Sequence, residues 1–262
     1  MDPALRTAAT GMIAQQTRTE VIANNLANVN TTGFKRSRAE FEDLLYQTVQ
    51  GATTAATPDG KGTAAVQVGR GTRLVAVSRL HTQGTIEETQ RPLDVAIEGE
   101  GFFQVQLTNG TTAYTRDGSF QISGDGTLVT SSGDTVAPGI RIPADASEIS
   151  ISKSGVVSAR RSGAAEPEEI GRIELARFTN PAGLLALGGN LYAETPASGE
   201  AVRGFPQDEG MGHLLQGSLE ASNVEIVQEM VDMISSMRAY ELNSKAIKNS
   251  EEMMDIANQM IR

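Results

Sequence analysis

Cysteine and tryptophan are absent from the 262 residues, and only seven Phe, four Tyr and two His are present. Without cysteine there is no disulfide framework and no thiolate chemistry. With so few aromatics, packing has to rest on aliphatic side chains and methionine, which suits long helix surfaces. His81 and His213 lack any acidic motif at metal-ligand spacing, so neither a zinc site nor a histidine-based hydrolase has support. Both are read as surface or structural residues. Long apolar runs are missing too. The longest strongly apolar one, Leu184 to Leu187, falls far short of the roughly 20 residues of a spanning helix, so no membrane insertion is expected. Residues 1 to 20 contain no apolar stretch behind a charged region, hence no Sec-type signal. That leaves a cytoplasmic address, or an export route that reads an uncleaved terminus.

Positive charge is also scarce. A net charge of −10 argues against nucleic acid as a partner, because phosphate neutralisation needs a face dominated by Lys and Arg. The only dense basic run, Lys35-Arg36-Ser37-Arg38, is read as a solvated turn pairing locally with Glu40, Glu42 and Asp43. Gly69-Arg70-Gly71 and Gly99-Glu100-Gly101 lack the third glycine or the lysine that cradles phosphate, and are read as turns. The Asp-Gly pairs lack the ligand order of a calcium hand. Carboxylates are plentiful, yet no feature selects two of them as a glycosidase pair. The chain is therefore read as a non-enzyme with no catalytic residues, no metal and no cofactor.

What is present is an uneven plan. Twenty-five of the 27 glycines and eight of the nine prolines lie between Gly51 and Gly217. Beyond them, Ser222 to Arg262 has neither residue, and Ile226, Met233, Tyr240, Ile247, Met254 and Ile261 recur at every seventh position. A second row, Met230, Met237, Ser244, Glu251 and Asn258, turns polar in its far half. Val227, Val231, Ile234 and Leu242 add apolar surface outside that stripe, more than one pairing would hide. Ser222 and Glu225 have capping-box spacing. At the other end, Leu5, Ala8, Met12, Ile22, Leu26 and Val29 share a seven-residue register, interrupted by Gln15 and Thr19. Asp2-Pro3 is a good start for that helix, which should run to about Val29 and be marginal alone because of Gly11. The two helices would span roughly 40 and 57 Å.

Between them the period drops to two. Leu93, Val95 and Ile97 alternate with Asp94, Ala96 and Glu98, and Phe103, Val105 and Leu107 alternate with polar residues, which predicts half-buried strands. Asp117-Gly118, Asp125-Gly126 and Gly133-Asp134 punctuate short runs at hairpin spacing, and Ile173 to Phe178 reads as a further strand. The predicted class is α+β. A discontinuous, coiled-coil-like helical domain would come from residues 1–33 and 218–262, with an extended arm over 34–70 and a β-rich domain over 71–217.

Ile22-Ala23-Asn24-Asn25-Leu26-Ala27-Asn28-Val29-Asn30-Thr31-Thr32-Gly33-Phe34-Lys35 closely resembles the N-terminal signature of bacterial flagellar rod and hook proteins. The stretch from Arg91-Pro92-Leu93-Asp94 to Phe103, then Tyr114-Thr115-Arg116-Asp117-Gly118-Ser119-Phe120, resembles that family's β domain. Leu219-Glu220-Ala221-Ser222-Asn223-Val224 and Met237-Arg238-Ala239-Tyr240-Glu241 complete a match covering nearly the whole chain in order. Phe41 to Gln47, leading into an arm over Val49 to Gly69, is similar to the rod-stiffening insertion of the family's distal rod members.

The resemblance implies a structural subunit of the flagellar distal rod in the basal body. It would be exported uncleaved through the flagellar type III apparatus and polymerise with itself into an open helical shaft across the periplasm. It further implies proximal rod proteins, hook protein and the P- and L-ring proteins as partners, and terminal helices packed as an inner tube. The expected assembly residues are Leu5, Met12, Ile22, Leu26, Val29, Ile226, Met230, Met233, Met237, Tyr240, Ile247, Met254 and Ile261. Asn24, Asn25, Asn28, Gly33 and Phe34 carry the family motif, the asparagines being expected to satisfy backbone groups where the first helix ends. A proximal rod or hook subunit, or a secreted β-domain adhesin on a helical stalk, is the alternative.

Overall fold

A computed structural model describes residues 3–50, 65–161 and 166–260. The fold is α+β, and the chain divides into two compact units interleaved in sequence. The first comprises Met1–Leu26, Ser37–Ser78 and Glu225–Arg262; the second comprises Ala27–Arg36 and Arg79–Val224.

The first unit contains helix α1 (Pro3–Ala27) and helix α2 (Ile226–Met260). Arg18 pairs with Asp232 and Asn25 with Glu229, so the two run antiparallel. No helix among the described residues is long and apolar enough to cross a membrane. Helix α1 ends two residues before Val29. Asn28 accepts the Thr31 backbone N–H at 3.1 Å, closing a turn that leads to Gly33 at φ 67°. The expected capping by Asp2 lies outside the described residues. At α2 the capping box is not formed. Glu225 accepts the first helical bond, from the Glu229 N–H at 3.0 Å, while Ser222 lies outside the helix and its hydroxyl accepts from the Val224 N–H. Strand β1 (Ser37–Asp43) pairs with β4 (Thr72–Arg79), and β2 (Gln47–Gln50) pairs antiparallel with β3 (Val66–Val68). The tip of the arm, residues 51–64, is outside the described residues.

The second unit is built of β-strands with a 3-10 turn at Pro181–Gly183. Strands β5 (Ile86–Glu88) and β6 (Val95–Glu98) pair with β20 (Ser218–Glu220) and β19 (His213–Gln216). Strands β7 (Phe102–Gln106), β8 (Thr112–Thr115), β9 (Phe120–Ile122), β10 (Leu128–Thr130) and β11 (Thr135–Val136), with β15 (Leu175–Arg177), β16 (Leu185–Gly188), β17 (Leu191–Ala193) and β18 (Val202–Gly204), form a nine-stranded antiparallel sheet among the described residues. Residues 146–172 add a three-stranded meander, β12 (Ala146–Ile151), β13 (Val156–Arg161) and β14 (Glu168–Arg172).

The alternating pattern predicts strands with one wet face. The structure differs: Val95, Ala96 and Ile97 are all buried, and so are Phe102, Phe103, Gln104 and Val105. The reason is that β7 separates two cores. Phe103 and Val105 enter a large aliphatic cluster with Phe120, Leu128 and Leu175, whereas Phe102 enters an aromatic one with Tyr114, Phe178 and Tyr192. Two of the three expected hairpins are found. Gly126 (φ 79°) turns β9 into β10, and Gly133 (φ 91°) turns β10 into β11. Asp117-Gly118 instead forms a corner between β8 and β9, which do not pair. Gly118 lies directly against the Val95 carbonyl, where any side chain would collide, and its own carbonyl accepts the Val95 N–H at 3.0 Å.

Phe103 stacks edge-on with Phe120, the ring centroids 4.9 Å apart, with no exposed surface. Replacing it by alanine should lower the unfolding free energy of the β unit by about 3–5 kcal/mol. Urea denaturation followed by tyrosine fluorescence checks this.

Candidate assembly interface

Within the first unit, the row of α2 that meets α1 is polar. Glu229, Ser236, Asn243 and Ser250 recur every seventh residue; Glu229, Ser236 and Ser250 are buried and Asn243 is half-buried. The Asn25 amide donates to the Glu229 carboxylate at 3.0 Å. Ser236 donates to the Gln15 carbonyl at 3.0 Å and meets the Thr19 hydroxyl at the same distance. Gly11 lies against Asn243, so close that a methyl group there would stand 2.9 Å from the amide nitrogen. Gln15, Thr19 and Gly11, which look like defects in an apolar seam, are the residues that receive this row.

The outer side of α2 carries exposed aliphatic residues among polar ones such as Arg238. Val227, Val231, Ile234 and Leu242 are 76, 55, 51 and 66% exposed. At about 100° per residue they lie roughly opposite the Glu229 row. Val231, Ile234 and Leu242, with Ser235, Arg238 and Ala239, border a groove of about 420 Å³. A helix that turns polar groups inward and aliphatic groups to water inverts the arrangement expected of a lone soluble hairpin.

The expected assembly residues divide accordingly. On α2, Ile226, Met230, Met237, Tyr240 and Met254 are exposed, and Met233 and Ile247 are half-buried. Ile261 lies outside the described residues. On α1, Ile22 is buried, Leu5, Met12 and Leu26 are half-buried, and so is Val29 just beyond the helix. Further apolar surface is exposed on the strands: Leu45, Tyr46, Val49, Val66 and Val68 around the β2–β3 ribbon, and Leu74, Val75 and Val77 on β4.

The motif residues have separate tasks. Asn24 is exposed and Phe34 half-buried. The Asn25 carboxamide acts as a substitute peptide group, not at the helix end but on β1: it accepts the Ser37 N–H and donates to the Ser37 carbonyl, both at 2.8 Å. The side chain of Asn28 accepts the Thr31 hydroxyl at 3.2 Å. Gly33 donates its N–H to the Glu220 carbonyl at 2.8 Å, and a Cβ there would meet the Asp117 nitrogen at 2.7 Å, so both φ and space demand glycine.

Lys35 corrects the reading of the basic run. Its side chain is fully buried in the second unit, not solvated: Nζ donates to Glu220 Oε1 at 2.6 Å and to the Thr82 carbonyl at 2.7 Å. Arg38 makes the expected local pair, with Glu40 at 3.2 Å. Glu220 also accepts from Arg116 Nη1 at 3.3 Å and from the Gly84 N–H at 2.9 Å. Sequence distance hid this cluster, since Lys35 and Glu220 are 185 positions apart. Burial pulls the Lys35 and Arg116 pKa values down, and Glu220 offsets this in both.

Two cations against one carboxylate leave the cluster positive, and His81 responds. Its ring sits edge-on to Phe102 and Tyr192, and burial, then Lys35, Arg116 and Arg79, depress its pKa from 6.5 to about 4. Unfolded chain therefore binds a proton below pH 6.5 that the folded chain refuses until about pH 4. The contribution of His81 to stability is complete above 6.5 and declines as pH falls through that window, by about 3 kcal/mol in total. His81→Phe should flatten the melting temperature profile of the second unit between those pH values, as calorimetry can test. Lys35→Met, which removes the Nζ bonds to Glu220 and the Thr82 carbonyl but leaves Arg116 and the Gly84 N–H on the carboxylate, should cost about 1–3 kcal/mol at pH 7 in the same measurement.

Three family descriptions match successive parts of the chain. They are flagella basal body rod protein over residues 5–35, flagellar hook protein FlgE/F/G D1 domain over 96–159, and flagellar basal body rod FlgEFG protein C-terminal over 215–260. The flagellar basal-body rod protein FlgG of Borreliella burgdorferi is 53% identical over 261 residues, covering 99% of this chain and 98% of its own. That of Caulobacter vibrioides is 49% identical over 258 residues, covering 98% of each. The FlgF rod protein of the same bacterium is 36% identical over 257 residues, with 97% of this chain and 95% of its own covered. The asparagine-rich turn, the corner at Gly118 and the two-faced α2 all lie in the matched segments, and the chain belongs to the flagellar basal-body rod protein family.

Proposed function

We propose that this chain is a structural subunit of the distal part of the flagellar rod, assembling with copies of itself into a rigid hollow shaft that carries motor torque across the periplasm to the hook. One observation carries the reading: α2 meets its own α1 through a polar row and leaves Val227, Val231, Ile234 and Leu242 to water. Such a stripe needs an apolar partner. Identical subunits related by a rotation that does not close would bury it repeatedly and produce an open tube. The strands support the same reading, because two-stranded ribbons with apolar residues on their outer surface, such as β2–β3 with Val49, Val66 and Val68, are marginal alone and gain stability against a neighbour.

In this reading the terminal helices pair in coiled-coil fashion as the inner wall, and the arm carried by β2 and β3 braces adjacent subunits against bending. Export occurs without cleavage through the flagellar type III apparatus. Proximal rod proteins lie at one end, the hook protein at the other, and the P- and L-rings around the outside. The role is mechanical and non-enzymatic.

Concentrated protein should form tubes visible by electron microscopy. Val231→Asp and Ile234→Asp should abolish them while leaving the thermal unfolding of the β unit within about 1 kcal/mol of the parent, since neither side chain is buried in the single chain. Tubes of normal yield from both variants would rule the stripe out as the assembly surface. Deleting residues 53–61 should leave tubes that form but bend more easily, seen as a shorter persistence length in the same images.

A further inference from the structure

We infer that the row Glu229, Ser236, Asn243 and Ser250 is a register key: it fixes at which heptad α2 lies along α1, a choice that the apolar residues leave open. The apolar side chains beside it, Ile226, Met233, Tyr240, Ile247 and Met254, repeat with a period of seven. Sliding α2 by one heptad puts each of them near an equivalent neighbour, so their contribution discriminates poorly between registers. The polar row repeats at the same period but with different chemistry at each position. A carboxylate faces Asn25, a hydroxyl faces Gln15 and Thr19, and a carboxamide faces Gly11.

A seven-residue slip breaks every one of these matches. With α2 moved so that Ser236 faces Asn25, the Asn25 amide loses the carboxylate it now serves, while its other contacts remain committed to the Ser37 backbone. Asn243 would then meet the region of Gln15 and Arg18, and Gly11 would face Ser250, leaving unfilled the space that the carboxamide occupies. Buried polar groups that lose partners penalise a register more than apolar residues reward it. Arg18 and Asp232, 3.2 Å apart at the edge of the contact, reinforce the same alignment. The key stabilises the pair less than leucines would. Its consequence, resting on the assembly reading above, is that Val227, Val231, Ile234 and Leu242 are always presented at one height relative to α1.

The absence of natural cysteine makes the register directly measurable. Arg18→Cys with Asp232→Cys reports the observed register, and Arg18→Cys with Ala239→Cys reports a slip of one heptad. Because the Arg18–Asp232 contact is made at the tips of long side chains, the two thiols are bridged with a short bis-maleimide rather than a disulfide in dilute full-length protein, and the intramolecular cross-link is read from monomer-sized product by mass. With the row intact, the first pair should close at least about tenfold more than the second, as several hydrogen-bonded positions acting together imply. Changing Glu229, Ser236 and Asn243 together to Ala should bring the two yields within about threefold of each other. Because that variant could lose the pair altogether, a second one exchanges positions, Asn243→Ser with Ser250→Asn. It conserves composition and places the carboxamide opposite Gly11 only in the slipped register, so it should raise the slipped product several-fold. An intact row that gives no preference, or none of the first cross-link, overturns the proposal, and so does a preference unchanged in the exchanged variant. Tube formation is scored separately on the cysteine-free chain: a clear register with no tubes contradicts the assembly reading alone, and tubes from a chain indifferent to register contradict the key alone.

Discussion

One carboxylate with no exposed surface, Glu220, holds together the segments that follow α1 and precede α2. It accepts from Lys35, Arg116 and the Gly84 N–H, and its backbone carbonyl accepts from Gly33. Next to it, Asn223 accepts the Arg36 N–H at 2.7 Å and donates to the Leu80 and Thr82 carbonyls. Taking three charges out of water is costly, and such a cluster is tolerated only when nearly every lone pair and proton is used. That condition propagates outward. Gly33 must be glycine for its N–H to reach Glu220, the chain must turn at Asn28–Thr31, and His81 must stay neutral beside the surplus positive charge.

The helical unit depends on a different division of labour. Hydrogen bonds inside one chain join α2 to α1 at Glu229 and Ser236, while Val227, Val231, Ile234 and Leu242 stay exposed. A chain that buried that surface against its own α1 would form a better hairpin and a poorer building block, because nothing would remain to drive association. On the assembly proposed above, the polar inner row and the apolar outer stripe answer one constraint: a subunit of an open assembly has to fold without satisfying itself.

The same logic explains why several residues resist a reading by periodicity. A hydrophobic-pattern search finds the rows beginning at Ile226 and Met230 and takes the residues between them as filler. The seven-residue recurrence of Glu229, Ser236, Asn243 and Ser250 is equally regular and was visible, but a polar repeat signals burial only when its partners are known. Gly11, Gln15 and Thr19 counted against the first helix for the same reason. In the β unit the hairpins at Gly126 and Gly133 were legible because a tight turn is local chemistry. The corner at Asp117-Gly118 was not, since its cause is the carbonyl of Val95, more than twenty residues away.

What the sequence determined by itself is the set of properties carried by short stretches of chain. These are the α+β class, the two terminal helices around a glycine-rich middle, most of the tight turns, and a family signature dense enough to recognise. Only the tertiary structure decided which face of each element is inside. It buried Lys35 against a carboxylate 185 residues distant, used Asn25 to complete the backbone bonding of Ser37, and placed β7 between two cores so that both its faces are dry. Local propensity and spacing fix the type of an element; burial depends on what the rest of the chain brings alongside it, and polar groups go inside only where another segment supplies the matching donor or acceptor.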